Sequence, residues 1–160
     1  MSLESLYQEL ILDHARHPHG KRPLDGLGER EDGLGEREDG SSSATSHQRN
    51  PICGDEITLR ALVHGDILRE VTWEGDGCSI SQASASMLAA LVAEEDGMPR
   101  AEASALIAGF REALRSRGSI PLDEETFGDA AALSGVSRYT ARVKCAMLAW
   151  VALEDALGRA

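Results

Sequence analysis

The sequence predicts an α+β fold in which helices pack on one face of a small antiparallel sheet. Three observations support this class. Strand-like alternation is concentrated in residues 57–73, helical periodicity occurs on both sides of that stretch, and no β–α–β alternation runs through the chain. Because the chain has 160 residues, it is long enough to bury one core and short for two. We therefore expect residues 1–160 to form a single domain.

The first predicted element is an amphipathic N-terminal helix. Ser2 can cap its start, and Pro18 and Gly20 end it. One face of this helix contains Leu3, Leu6, Tyr7, Leu10, Ile11 and His14.

Residues 23–49 have a different composition, with few apolar residues among charges, glycine and serine. They contain a perfect tandem repeat of GLGERED, first in 26–32 and again in 33–39. One leucine and two glycines per seven residues give neither a coiled-coil seam nor a good helix. We expect 23–49 to be a disordered insert, because it buries too little to offset its ordering entropy.

Regular elements resume after this segment. Alternation over 57–63 and again over 67–73, with His64-Gly65-Asp66 between them, predicts an antiparallel hairpin. Helical spacing follows from Ile80 to the Asp96-Gly97 stop and again over 101–115. The last helix, about 141–157, is apolar nearly all round, which predicts a central buried helix.

Charge excludes several classes of partner. The chain has 16 Lys and Arg against 27 Asp and Glu, a formal net charge of -11. Such a surface repels phosphate backbones and anionic lipid, so we expect no nucleic-acid and no membrane partner. The start of the chain has no basic region of a signal peptide, and no apolar run approaches spanning length, so we expect a cytoplasmic protein.

Three cysteines are the main candidates for chemistry. Cys53 precedes the first predicted strand, Cys78 stands at a predicted helix start, and Cys145 lies early in the last helix. An odd number of cysteines does not make a disulfide framework. Element ends that meet at one sheet edge would bring these thiols together with the Asp55 carboxylate, a donor set that suits zinc or an iron-sulfur centre. Their spacing alone also allows a simple buried role for Cys145 and a turn role for Asp55.

The segments around the cysteines are more specific than their spacing. Residues 50–55 (NPICGD), 75–87 (GDGCSISQASASM) and 133–146 (LSGVSRYTARVKCA) resemble, in order, the iron-sulfur assembly family that includes IscU and the NifU N-terminal domain. The resemblance is closest to the SufU branch and covers nearly everything except 23–49. In that gap the family usually has a further sheet strand before its first cysteine.

The resemblance implies an α+β fold in which Cys53, Asp55, Cys78 and Cys145 bind one zinc ion. It also implies a zinc-dependent sulfur acceptor that takes persulfide sulfur from a SufS-type cysteine desulfurase and passes it to downstream iron-sulfur assembly proteins. Cys145 is then the expected sulfur acceptor, and Arg142 matches a family position that contacts the desulfurase.

Two other functions remain open at this point. The first is a scaffold on which an iron-sulfur cluster is transiently assembled on the same cysteines, and the second is a purely structural zinc module. Lys144 favours the sulfur acceptor, because the scaffold branch has a histidine just before its last cysteine. The longer segment between the second and third cysteines also resembles SufU. The sequence does not decide whether such a relay counts as an enzyme.

Overall fold

The chain folds into an antiparallel sheet with helices against it, as predicted. The computed structural model describes residues 3–24, 34–36, 41–51, 54–94 and 96–160. In these residues five strands lie in sequence order across one sheet, and each pairs antiparallel with the next. The strands are β1 (Leu34–Glu36), β2 (Ser41–Arg49), β3 (Glu56–His64), β4 (Ile67–Asp76) and β5 (Met98–Pro99).

Buried and half-exposed side chains alternate along β3, and this alternation shows which face of the sheet the helices cover. Its inward side chains are buried, whereas Thr58, Arg60 and Leu62 between them are half-exposed. The helices cover the inward face, so the predicted one-sided packing is confirmed. A turn with Gly65 at φ 62° joins β3 to β4, as the hairpin pattern predicts. The buried inward residues of β3 are Ile57, Leu59, Ala61 and Val63.

The helices agree with the predicted periodicity, with two additions. A short helix over Glu124–Phe127 and a run of 3-10 turns over Gly128–Arg138 were not predicted. The 3-10 run is rich in alanine and is largely buried. No helix in the described part of the chain is both long and apolar enough to cross a membrane. The helices are α1 (Leu3–Arg16), α2 (Ser79–Ala93), α3 (Arg100–Arg115), α4 (Glu124–Phe127) and α5 (Thr140–Arg159).

Helices α2, α3 and α5 meet around a buried tryptophan. The Trp150 ring stacks on Phe110 with centroids 3.9 Å apart, and its Nε1 donates to Ser84 Oγ at 3.0 Å. Ser84 Oγ in turn donates to the Ala146 carbonyl at 2.6 Å. The small residues of α2 therefore serve close helix packing, and α5 is the buried central helix that its sequence predicts.

A buried histidine ties α1 to the same core. His14 Nδ1 lies 2.7 Å from Ser86 Oγ on α2, and Nε2 lies 2.9 Å from Asp129 Oδ2 in the 3-10 segment. The amphipathic stripe of α1 thus ends in a polar contact that holds the helix to two neighbours.

Strand β2 corrects the disorder predicted for 23–49. Residues 41–49 pair with β3 along their whole length, from Ser41 opposite His64 to Arg49 opposite Glu56. The strand was not predicted because nearly all of its residues are polar, and Ala44 is its one apolar residue. Ser46 faces inward, and its Oγ donates to Asp155 Oδ2 at 2.7 Å. Of the repeat, only Leu34–Glu36 is described, as β1; the remainder lies outside the described residues.

We expect loss of one repeat copy to leave the fold intact. Deleting 26–32 or 33–39 produces the same shortened chain, which still carries one Leu-Gly-Glu segment for β1. Since loop-closure entropy depends weakly on loop length, the free energy of unfolding should change by less than about 1 kcal/mol. Chemical denaturation of both chains measures this difference.

Ala44→Asp is the contrasting variant, because it places a carboxylate on the fully buried side of β2 and should destabilise strongly. If the repeat deletion destabilises as much as Ala44→Asp, the repeat itself packs on the core.

Candidate metal centre

Three predicted site residues come together at one end of the sheet. Potential ligand atoms of Asp55, Cys78 and Cys145 all lie within 4.8 Å of one another. They come from the loop before β3, the start of α2 and the second turn of α5. The fourth predicted ligand, Cys53, lies outside the described residues.

Asp55 is the most strongly bonded member of this cluster. Its Oδ1 accepts from the Cys78 N–H at 3.1 Å, and its Oδ2 accepts from Cys78 Sγ at 3.4 Å. Burial raises the pKa of the Asp55 carboxyl, but hydrogen bonds from Cys145, from Cys78 and from Ser81 outweigh burial and lower its pKa overall. Asp55 is therefore a buried carboxylate, the form that binds metal.

Cys78 occupies the predicted position at a helix start. It is the N-cap residue of α2, with an extended backbone and no side-chain capping bond. Its side chain is exposed. Ser81 donates to the Cys78 carbonyl at 3.0 Å, and its Oγ lies 3.8 Å from Cys78 Sγ.

Cys145 is both a site residue and a buried residue. It is only 5% exposed. Its thiol donates to the Ala141 carbonyl one turn earlier at 3.8 Å, and Asn50 Nδ2 donates to its Sγ at 4.0 Å. The two interpretations that the sequence left open for Cys145 are therefore compatible.

Two residues that sequence reasoning did not single out shape the site. A Cβ added at Gly77 would lie 2.3 Å from Ser81 Oγ and 3.0 Å from Asp55 Cγ, so only glycine leaves Asp55 in place. Asn50 is buried, and its backbone N–H donates to the Asp55 carbonyl at 2.8 Å. Gly54 N–H donates to the Asn50 carbonyl at 2.8 Å and has φ 72°. The available signal was the glycine next to Cys53, Asp55 and Cys78 in the sequence.

Arg142 lies near this cluster without joining it. It is exposed on the first turn of α5, and its guanidinium lies 5.6 Å from the centre of the Tyr139 ring.

The donor set fits a soft or borderline metal ion. Two cysteine sulfurs and one carboxylate oxygen converge from elements held by the core, a set found in tetrahedral zinc and iron-sulfur sites and unlike the all-oxygen sites of magnesium or calcium. A further cysteine, Cys53, follows Asn50 by three residues in the sequence.

Comparison with known proteins agrees with the fold. Residues 6–146 match the model for the NifU-like N terminal domain. The zinc-dependent sulfurtransferase SufU of Bacillus subtilis is 34% identical over 158 residues, 99% of this chain and 93% of that protein. The iron-sulfur cluster assembly scaffold protein IscU of Streptococcus pyogenes is 33% identical over 157 residues, 98% of this chain and 86% of that protein.

A solved structure extends the likeness to three dimensions. The crystal structure of FiSufU from Fervidobacterium islandicum AW-1 has a TM-score of 0.69 and 29% identity, and the match covers 98% of this chain and 99% of that one. Family model, relatives and structure all span nearly the whole chain and confirm the resemblance stated from the three motifs. The chain therefore belongs to the family of NifU-like N-terminal domains.

Proposed function

We propose that this protein is a zinc-dependent sulfur acceptor that takes persulfide sulfur from a SufS-type cysteine desulfurase for iron-sulfur cluster assembly. The observation that supports the proposal is the convergence of Asp55, Cys78 and Cys145 within 4.8 Å, because two candidate nucleophiles then lie in one group of side chains with the donor atoms of a metal site. Similarity to a zinc-dependent sulfurtransferase supports the same function.

In the proposed transfer the Cys145 thiolate attacks the outer sulfur of the persulfide on the desulfurase. A new S–S bond forms on Cys145, the S–S bond to the desulfurase cysteine breaks, and that cysteine leaves as a thiolate. One persulfide replaces another, so no oxidant or reductant is consumed. The acceptor then delivers its sulfur to downstream assembly proteins.

Cys53, Asp55, Cys78 and Cys145 would hold the zinc ion, which supplies a redox-inert positive charge that keeps cysteine ligands ionised. Two further residues of the chain arrange these ligands. Asn50 donates toward Cys145 Sγ, and Gly77 leaves the space that Asp55 occupies. Because Cys145 is 5% exposed, the desulfurase must reach into or open this pocket before transfer occurs.

A transient iron-sulfur scaffold is the second candidate function. Its support is the IscU of Streptococcus pyogenes, which is 33% identical, close to the value for SufU. The same cysteines would serve either function, because thiolate ligands bind both zinc and the iron of an iron-sulfur cluster.

Metal and acid-labile sulfide content separates the two functions. The protein is purified anaerobically from iron-supplemented cells, because aerobic handling can replace a cluster by zinc. About one zinc per chain without sulfide is the expected result for the acceptor. Iron with matching sulfide and little zinc would make the scaffold the primary function.

A further inference from the structure

Gln82 is a buried polar residue one helical turn after Cys78 on α2. It is 8% exposed, so both ends of its amide need hydrogen-bond partners. Its Oε1 accepts from Lys21 Nζ at 2.7 Å, and its Nε2 donates to the Gly75 carbonyl at 3.5 Å. Its backbone N–H donates to the Cys78 carbonyl at 3.1 Å. Gln82 therefore contacts both ends of the segment 75–78, which leads from β4 into α2 and carries Cys78.

Lys21 reaches Gln82 from a stretch of chain that is fixed against β4. Lys21 is exposed, but the residues on either side of it are bonded to the buried Trp73. The Trp73 N–H donates to the Gly20 carbonyl at 2.9 Å, and the Arg22 N–H donates to the Trp73 carbonyl at 2.9 Å. The Lys21 ammonium also lies 5.2 Å from the centre of the Trp73 ring. Because its backbone is already held, Lys21 loses less conformational freedom when it binds Gln82.

The Lys21 side chain serves Gln82 and makes no surface ion pair. It contacts no carboxylate in the described part of the chain, whereas its neighbour Arg22 pairs with Glu70. A hydrogen bond from a charged donor is stronger than one between neutral groups. The Lys21 contact is therefore the strongest hydrogen bond that holds the buried Gln82 amide in place.

The segment that Gln82 contacts also orients Asp55. The Cys78 N–H donates to Asp55 Oδ1 at 3.1 Å, and Gly77 leaves the space that this carboxylate occupies. A shift of 75–78 would therefore move the Cys78 sulfur and the Asp55 carboxylate together. Residues that only orient metal ligands typically contribute about 10- to 100-fold to metal affinity.

We propose that Lys21 and Gln82 are positioning residues of the metal centre, which hold segment 75–78 so that Cys78 and Asp55 keep their arrangement. The inference rests on the proposed function and adds two residues outside the cluster of ligands. Lys21 acts through Gln82, so loss of either residue should have the same consequence. Loss of both should cost little more than loss of one.

The test is a double-mutant cycle on zinc affinity, measured by competition with a chromophoric chelator. Lys21→Met and Gln82→Met should each weaken zinc binding about tenfold, and the double variant should lose about as much as either single variant. Lys21→Arg keeps a charged donor and should retain most of the affinity. Arg22→Met is the matched control, because it removes a cation from the next residue, whose partner is Glu70, and should leave zinc affinity unchanged.

A measurement on the metal-free protein separates positioning from a general loss of stability. Amide hydrogen exchange in 75–78 should be faster in Lys21→Met and in Gln82→Met than in the wild type, because local opening of that segment becomes easier. Exchange in the central strand β3 should stay at the wild-type rate in both variants. Equal acceleration in β3 would mean that the substitutions destabilise the whole domain, which contradicts a positioning role.

The remaining outcomes distinguish this inference from the proposed function. If Lys21→Met and Gln82→Met bind zinc as tightly as Arg22→Met, these residues do not position the centre, while the proposed function stands. Additive losses in the double variant would show that Lys21 does not act through Gln82. If the wild-type protein binds no zinc, the proposed function fails, and the exchange rates in 75–78 alone decide whether the two residues hold that segment.

Discussion

A Cys145→Ser variant should leave the desulfurase at its basal rate and should carry no persulfide. Serine keeps the size of this buried side chain, so the fold survives, but its oxygen neither accepts the sulfur nor replaces a soft metal ligand. The stimulation of sulfide and alanine production should therefore fall to background. Intact mass and peptide mapping after incubation with desulfurase and cysteine locate any added sulfur.

Cys53→Ser and Cys78→Ser are the matched controls, because each removes one predicted metal ligand and leaves Cys145. If Cys145 is the acceptor, both controls still load sulfur on it. Cys78 is the more accessible thiol in the cluster, being exposed where Cys145 is buried. Persulfide on Cys78 or Cys53 in a Cys145→Ser protein would assign the acceptor role to that residue instead.

Replacing Gly77 with alanine should weaken metal binding on the order of 10- to 100-fold, as loss of a supporting residue around a metal site does. The cause is steric, because the added methyl lies 2.3 Å from Ser81 Oγ and 3.0 Å from Asp55 Cγ and Oδ1. Ser81 is fully buried, so neither neighbour moves without disturbing the cluster. Competition with a chromophoric zinc chelator gives the change in affinity.

Gly158→Ala is the control for this variant, since a Cβ there meets nothing within 4 Å. A double variant, Gly77→Ala with Ser81→Ala, removes the shortest contact and should regain part of the lost affinity. Unchanged zinc affinity in Gly77→Ala would mean that Asp55 does not bind the metal in the position described.

The elements that the sequence predicted well are those whose apolar spacing is strong. Helix α3 buries Leu106, Ile107, Phe110 and Leu114, the stripe expected from its sequence. Strand β2 was missed because its stability comes from pairing with β3 and from small polar residues against α5, which leave no hydrophobic pattern. The 3-10 segment was missed because its three consecutive alanines, residues 130–132, give neither a helical nor a strand period.

For the site, residue identity was easier to predict than geometry. Asp55, Cys78 and Cys145 were named and were expected to come together, as they do within 4.8 Å. The hydrogen bonds that hold Asp55 and the burial of Cys145 depend on neighbours in space, which the sequence does not give. The role of Gly77 was missed because it depends on Asp55, a neighbour only in space. The contribution of Asn50 likewise depends on the position of α5.

The crossing of α2 and α5 at Ser84, Ala146 and Trp150 affects the order of events during the protein's biogenesis. Cys78 caps α2 and Cys145 lies in α5, and both helices pack through buried residues of the one core. Small zinc modules fold only when metal arrives, whereas this chain has a large core of its own, so we expect it to fold before any metal binds. Under the proposed function, loading with metal or sulfur would then be a step separate from synthesis.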